Sequence, residues 1–399
     1  MAKAEADVQK FDTHVCLVSH QATPNLLPLL DPVWRPRKVV LATSKEMSAK
    51  STWLADLLRT KGVAVETLAL RDVADYSALS DDFLDFLATC GDDNVALNVT
   101  GGTKLMAVAA QEVFRTNAKT AFYVDIETDR IVFLNGGRSE PLNAKLNIRE
   151  SLRAHGYTTQ GGETPQIDAA QRDLTARLID RVGAFGPTLG QINHLASTAN
   201  GSLQCQMTDA QADSSKLADM LGLFAQAGHL KQHGAVLRFP NEASRFFVNG
   251  GWLEYHLLHT LRDLQGTHPI TDIAFNLKVT YPDGSTENEL DVAFMYRNTL
   301  HIIECKTANL ALPGITQEDK ATEALYRMES LMKLGGLRTK GMIVDYRGNF
   351  SASPANRKRA QQSNINVLSG GELKDSKGQI VRHWMKVRDA VSSPAPTPK

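Results

Sequence analysis

The sequence predicts an α/β protein of more than one domain, and three observations lead to this prediction. The chain has 399 residues, which is enough for two or three domains with their own cores. In the first 150 residues, short apolar strands alternate with amphipathic helices, a pattern typical of a doubly wound, mostly parallel sheet. Near residue 300, two apolar runs flank a two-residue turn, which predicts a hairpin in a second sheet.

The charge balance, the cysteines and the hydropathy of the chain limit the classes of protein to which it can belong. The chain has 44 basic and 44 acidic residues, so its overall charge produces no field that would attract nucleic acid. Its four cysteines are scattered and form no CxxC pair, which favours a reducing compartment and argues against structural zinc. We find no signal peptide and no apolar run of about 20 residues. The sequence therefore predicts a cytoplasmic protein that does not cross a membrane.

The predicted first domain, residues 1–150, alternates strand and helix along its length. The pattern predicts strands at 14–19, 38–43, 64–70, 95–99, 120–124 and 130–134, with helices at 50–61, 80–89 and 103–116. Sheets of this kind bind ligands beyond the carboxyl ends of their strands. The loops after the first strand and after the strand 95–99 are therefore the candidate binding loops.

Both of these loops are polar. The first, 19–25, reads Ser-His-Gln-Ala-Thr-Pro-Asn, and the second, 98–104, reads Asn-Val-Thr-Gly-Gly-Thr-Lys. Gly101 and Gly102 allow a tight turn before a helix N-terminus, where backbone N–H groups can hold an anion. The second loop is neither a Walker A loop nor a GxGxxG loop. A plain helix cap with a glycine turn is the alternative interpretation.

A connector is predicted between the first domain and the hairpin. The polar, glycine-rich stretch 156–165 predicts a linker over 151–170. Helices at 173–185, 189–197 and 215–227, followed by a hairpin at 229–239, then predict a winged-helix-like module over 171–245. Because this module carries few basic residues, we favour a packing or spacer role over contact with nucleic acid.

The hairpin lies in the predicted last domain, 246–388, before a proline-rich tail, 389–399, that we expect to be disordered. Apolar strands at 290–296 and 299–305 flank a turn at 297–298. If Tyr296 faces Thr299, Asp291 lies opposite Glu304, and Lys306 shares the face of Glu304. Two carboxylates that face each other repel, so this register predicts a compensating cation.

An aspartate followed by Glu-x-Lys, here Asp291, Glu304 and Lys306, resembles the PD-(D/E)xK nuclease superfamily. The resemblance implies that the two carboxylates hold Mg²⁺ or Mn²⁺ and that the lysine orients or activates the attacking water. The proline that precedes the aspartate in the superfamily is Leu290 here. A solvated strand face is the alternative interpretation of the motif.

Two helices of this domain carry further candidates. The helix 253–264 places Glu254 at the edge of its leucine stripe. Members of the superfamily often carry such a glutamate on this helix. The resemblance therefore implies that Glu254 is a third metal ligand rather than a solvent-exposed residue beside the apolar stripe. His256 and His259 on that helix lack a zinc-site arrangement, so we expect them to be solvated or hydrogen-bonded. The helix 317–334 offers four loosely matching polar side chains, Gln317, Lys320, Tyr326 and Arg327.

The loop 98–104 resembles the CARF domains of CRISPR-associated proteins, which sense cyclic oligoadenylates across a homodimer interface. The resemblance implies an activator pocket lined by Asn98, Thr100, Gly101, Gly102, Thr103 and Lys104, with Ser19, Gln21 and Thr23 on the loop opposite. A CARF domain followed by a PD-(D/E)xK domain is the layout of the ancillary nucleases of type III CRISPR systems.

The leading hypothesis is a homodimeric, metal-dependent endonuclease that cleaves DNA, RNA or both when a cyclic oligoadenylate binds. An even ring such as cyclic tetra-adenylate suits a two-fold dimer best. Two alternatives stay open: a DNA-binding regulator with an inert nuclease-like domain, and a nucleotide hydrolase that uses the Gly101–Gly102 loop. The intact set of Asp291, Glu304 and Lys306 favours the nuclease.

Overall fold

The structure is a computed structural model that describes residues 10–91, 93–307, 317–348, 350 and 353–385, and for 187 and 317–320 it describes the backbone alone. It divides into two compact units. The first comprises Met1–Gly162, Ile270–His301 and Leu331–Lys340, and the second comprises Glu163–Pro269, Ile302–Ser330 and Gly341–Lys399. The predicted tail, 389–399, lies outside the described residues. None of the described helices has the length and apolar character needed to cross a lipid bilayer.

The N-terminal sheet has seven strands in the order β3-β2-β1-β4-β5-β6-β7. These are β1 (Thr13–Leu17), β2 (Lys38–Thr43), β3 (Ala64–Ala69), β4 (Val95–Asn98), β5 (Thr120–Asp125), β6 (Arg130–Phe133) and β7 (Ser139–Pro141). The first five are parallel, and the last two pairings are antiparallel. The predicted doubly wound sheet is therefore confirmed, and its order reverses between β1 and β4.

Five helices accompany this sheet: α1 (Thr23–Leu30), α2 (Ser48–Thr60), α3 (Tyr76–Thr89), α4 (Lys104–Thr116) and α5 (Ile148–Ala154). Every residue of β1 and β4 is buried, as expected for central strands covered on both faces. Helix α1 was not predicted. It begins inside the polar stretch 19–25, with Pro24 in its first turn, where a missing N–H costs nothing.

A six-stranded sheet has the order β16-β15-β14-β13-β12-β8. Its strands are β8 (Thr158–Gly162), β12 (Ile270–Thr280), β13 (Glu287–Tyr296), β14 (Thr299–Lys306), β15 (Lys340–Asp345) and β16 (Ile365–Ser369). The stretch 156–165, predicted as a polar linker, contains β8, which pairs antiparallel with β12 at the edge of this sheet. The predicted two-residue turn is confirmed: Arg297 and Asn298 have φ angles of 48° and 54°, as a tight hairpin turn requires.

The connector contains a small three-stranded sheet in the order β10-β11-β9, formed by β9 (Gln204–Gln206), β10 (Lys231–His233) and β11 (Val236–Arg238). The predicted hairpin near 229–239 is present as β10 and β11. The helices are α6 (Ala169–Asp180), α7 (Val182–Thr198), α8 (Asp209–Ala212), α9 (Ser215–Gln226) and α10 (Glu242–Phe246). The first helix break falls at Arg181, earlier than the predicted break between 185 and 189.

The remaining helices belong to the C-terminal region: α11 (Trp252–Gln265), α12 (Gln317–Met332), α13 (Pro354–Gln362) and α14 (Ser376–Trp384). A π-helical turn, Phe247–Gly251, precedes α11, and a 3₁₀ turn, Lys333–Gly335, follows α12. Helices α11 and α12 lie where the apolar periodicity of the sequence predicts them.

Candidate functional site

The loops after β1 and β4 lie side by side, because these strands are parallel neighbours at the point where the sheet order reverses. Asn98 joins the two loops. Its Nδ2 donates to the carbonyl of Pro24 (3.0 Å) and to Oδ1 of Asn25 (3.2 Å), and its Oδ1 accepts from the N–H (3.1 Å) and the hydroxyl (2.7 Å) of Thr100. The side chain is fully buried, so Asn98 shapes the pocket from behind it.

The two glycines are required by the close approach of the second loop to β1. A Cβ on Gly101 would lie 2.0 Å from the carbonyl oxygen of Leu17. Gly102 has a φ of 71°, and a Cβ there would lie 2.9 Å from Cβ of Leu17. Thr103 then caps α4 by accepting from the N–H of Met106 (3.2 Å), so the glycine turn leads directly into a helix N-terminus.

A cavity of about 690 Å³ opens over these loops. Its walls come from the loop after β1, the loop after β4, the end of β5 and a segment just before β15; the lining residues are Ser19, His20, Gln21, Pro24, Thr100, Gly102, Tyr123, Val124, Asp125, Ile126, Glu127, Leu337 and Arg338.

Of the predicted activator-binding residues, Ser19, Gln21, Thr100 and Gly102 line this cavity. Thr23 lies in a smaller neighbouring cleft with Asn298, Gly101 is buried against β1, and Thr103 and Lys104 are exposed outside the lining. The sequence reasoning missed the wall at 123–127, although the end of a strand parallel to β4 was the signal that could have indicated it.

The second candidate centre is built on β14. Glu304 is 1% exposed, and its Oε2 lies 3.2 Å from Nζ of Lys306 and 3.2 Å from Nε of Arg327 on α12. A buried carboxylate is tolerated only with such partners. Tyr326 is exposed beneath the guanidinium of Arg359, and the side chains of Gln317 and Lys320 lie outside the described residues.

The end of β14 is held by Thr307, which the sequence reasoning did not single out. Its hydroxyl accepts from Nδ2 of Asn193 (3.1 Å), and its carbonyl accepts from Nε of Arg347 (3.1 Å). Gly250, with a φ of 108°, packs so closely that a Cβ there would lie 2.1 Å from the Thr307 hydroxyl. These contacts position the strand that carries Glu304 and Lys306.

Two carboxylates predicted as metal ligands have the oxygen donors that a hard divalent cation takes. Asp291 is half-buried on β13, the strand next to β14 in the sheet, and Glu304 supplies a second carboxylate. Glu254 lies in the first turn of α11. Within the described part of the chain, no group of three or more His, Cys, Asp or Glu side chains gathers as a metal site. Mg²⁺ commonly needs only one or two protein carboxylates and completes its shell with water and phosphate.

The two histidines of α11 have protein partners. Nε2 of His256 lies 3.2 Å from the Ser376 hydroxyl, and burial lowers the pKa of His256 to about 4. Nδ1 of His259 lies 3.7 Å from a carboxylate oxygen of Asp263. Both therefore have structural contacts of the kind expected from the sequence.

Comparison with known proteins agrees with the two halves of this description. Residues 13–151 match the family model of the Card1 CARF domain, and residues 241–388 match that of the Card1-like endonuclease domain. A comparison with curated proteins gives no match. The fold and the two motifs thus define a protein with a CARF domain and an endonuclease domain. More particularly, the one chain carries a CARF domain of the Card1 kind followed by a Card1-like endonuclease domain.

Solved structures show the same likeness over most of the chain. The protein VC1899 of Vibrio cholerae is 26% identical, with a TM-score of 0.83, over 93% of this chain and 97% of that one. Can2 of Sulfobacillus thermosulfidooxidans, solved with cyclic tetra-adenylate, is also 26% identical, with a TM-score of 0.74, over 93% of this chain and 97% of that one. A type III CRISPR defence DNA nuclease activated by cyclic oligoadenylate is 21% identical, with a TM-score of 0.54, over 86% of this chain and 47% of that one, and shares the fold.

Proposed function

We propose that this protein is an endonuclease of CRISPR antiviral defence that a cyclic oligoadenylate switches on. The observation that carries the proposal is the buried Glu304, paired with Lys306 on a strand of a Card1-like endonuclease domain. A buried carboxylate at the end of a strand is costly even when a partly exposed lysine pairs with it, and catalysis gives a reason to keep it. The cavity at the switch point of the CARF sheet supplies a site for the activator.

Asp291 and Glu304 are the residues that would hold Mg²⁺ or Mn²⁺. Such an ion lowers the pKa of a bound water and stabilises negative charge on a phosphate. Lys306, whose Nζ lies 3.2 Å from Oε2 of Glu304, is suited to orient the attacking water or to donate to the scissile phosphate. Arg327 contacts the same oxygen and is 45% exposed on its side chain, so its guanidinium is within reach of a substrate phosphate. Glu254 is proposed as a further acidic group of this centre.

We propose cyclic tetra-adenylate as the activator and a homodimer as the state that binds it. Can2, which is similar over 93% of this chain, was solved with that ring, and an even ring matches a two-fold axis. The cavity is lined by the glycine turn at Gly102, by Ser19 with its hydroxyl and by Gln21 with its side-chain amide. These are groups that bind phosphates and adenine edges. The substrate is proposed to be DNA, RNA or both.

The test is a cleavage assay on single-stranded and duplex DNA and RNA, with and without Mn²⁺ and cyclic tetra-adenylate. We expect cleavage only when metal and activator are both present. Glu304→Gln should abolish cleavage while binding of the activator, measured by calorimetry, stays unchanged. Full activity of Glu304→Gln at saturating metal would refute the proposed centre. Equal activity with and without every cyclic oligoadenylate, in protein freed of bound nucleotide, would refute the proposed switch.

A further inference from the structure

One wall of the CARF cavity comes from a distant part of the chain. Leu337 and Arg338 line it, and they lie in the short segment 336–339 between the 3₁₀ turn after α12 and the start of β15. This segment is outside the range matched by the CARF family model and inside the range matched by the endonuclease model. In the structure it belongs to the same compact unit as the CARF sheet, so the pocket that the CARF loops begin is completed within that unit by a segment from far along the chain.

Close packing holds this segment in place. A Cβ on Gly335 would lie 2.5 Å from the hydroxyl of Thr339 and 2.8 Å from Cδ2 of Leu300. Gly336 has a φ of 80°, and a Cβ there would lie 3.0 Å from Nε2 of His155. Side chains would not fit at either glycine, so the turn presents Leu337 and Arg338 to the cavity in a defined way.

Arg338 differs in charge from the other residues that line the cavity. Among the described residues that line it, Arg338 is the one lysine or arginine, and Asp125 and Glu127 line the same cavity with carboxylates. The Asp125 carboxylate is occupied by the N–H of Glu127 (3.0 Å) and the hydroxyl of Thr128 (2.6 Å). Nη2 of Arg338 lies 3.7 Å from Oε1 of Glu127, with both side chains partly exposed, so this pair is weak.

From this geometry we propose that Arg338 is a phosphate ligand of the activator, and that the bound phosphate replaces Glu127 as its partner. The inference rests on the proposed function. A guanidinium binds a phosphate through two parallel N–H bonds, which is stronger and more directional than its contact with an exposed carboxylate. Arg338 follows α12, the helix that carries Arg327, and precedes β15, so the activator would contact a segment that joins these two elements along the chain.

The test compares three variants by calorimetric titration with cyclic tetra-adenylate at several salt concentrations. Arg338→Gln should weaken binding about 10- to 100-fold, since a hydrogen bond to a charged group is lost, and should lower the salt dependence. Glu127→Gln should tighten binding several-fold, because the competing carboxylate is gone. Arg115→Gln, which removes an exposed arginine paired with Glu112 on α4, is the matched control and should bind like wild type.

The two variants are expected to change the affinity for the activator in opposite directions. This distinguishes a role of Arg338 in binding from misfolding, because misfolded protein would not bind more tightly, as Glu127→Gln should. Wild-type affinity in Arg338→Gln, with activator-dependent cleavage intact, would overturn this inference and leave the proposed function standing. Failure of the wild-type protein to bind any cyclic oligoadenylate would overturn the proposed function, and this inference with it.

Discussion

Replacing Asn298 with alanine should destabilise the protein by several kilocalories per mole, because this one residue closes the β13–β14 hairpin and joins it to the segment 129–146. Asn298 is 4% exposed and has a φ of 54°. Its Oδ1 accepts from the N–H of Leu146 (3.0 Å), and its Nδ2 donates to Oδ1 of Asp129 (3.0 Å) and to the carbonyl of Ala144 (3.2 Å).

Two terms set the magnitude. Alanine in the left-handed region costs about 1–2 kcal/mol relative to residues that tolerate it. Truncation also removes the partner of the buried Leu146 N–H and Ala144 carbonyl, at about 1–3 kcal/mol for each group. Asp129 keeps its ion pair with Lys145 and adds little. The sum is about 3–6 kcal/mol, taking the lower half of the hydrogen-bond range because water can enter near the turn.

A matched series separates these terms. Asn298→Gly accepts the positive φ and loses only the hydrogen bonds, so it should be about 1–2 kcal/mol more stable than Asn298→Ala. Asn298→Asp keeps the backbone preference but places a carboxylate against Asp129. The assay is equilibrium unfolding in urea, followed by tryptophan fluorescence. If Asn298→Ala unfolds within about 1 kcal/mol of wild type, the hydrogen-bond arrangement described for this turn does not stabilise the fold.

Three further predictions follow from the structure. Gly101→Ala should abolish binding of the activator while the chain stays folded, because its Cβ would lie 2.0 Å from the Leu17 carbonyl oxygen and displace the loop; circular dichroism and titration check this. Glu254→Gln should lower the cleavage rate and shift its metal dependence if this residue belongs to the nuclease centre, and unchanged kinetics across a Mn²⁺ titration would make it a structural flank. Burial lowers the pKa of His14 to about 3. Below pH 6.5 the unfolded chain therefore takes up a proton at this residue that the folded chain does not. The free energy of unfolding should consequently fall as the pH drops from 6.5 towards 3. His14→Phe should flatten the melting temperature against pH over that window, and an unchanged slope would contradict the buried neutral imidazole.

The sequence alone was sufficient for features that depend on near neighbours along the chain. The order of strands and helices in the N-terminal sheet follows from apolar runs, because its central strands are buried on both faces. The tight turn at Arg297–Asn298 follows from its length and from the tolerance of asparagine for positive φ. The contact between Glu304 and Lys306 follows from the two-residue period of a strand.

Other features depended on residues that meet only in the folded chain. Strand β8 is polar and glycine-rich, and it is a strand because β12, distant in sequence, pairs with it. Asn98 has the polarity of a ligand-binding residue, but its side-chain amide donates to the carbonyl of Pro24 and accepts from the N–H of Thr100, and so joins the two loops. Arg338 has no local pattern that marks it, and it lines the CARF cavity because the glycine turn before β15 packs there. Hydrophobic period and turn chemistry act within a few residues, whereas strand partners, pocket walls and the partners of buried polar groups are chosen by tertiary packing.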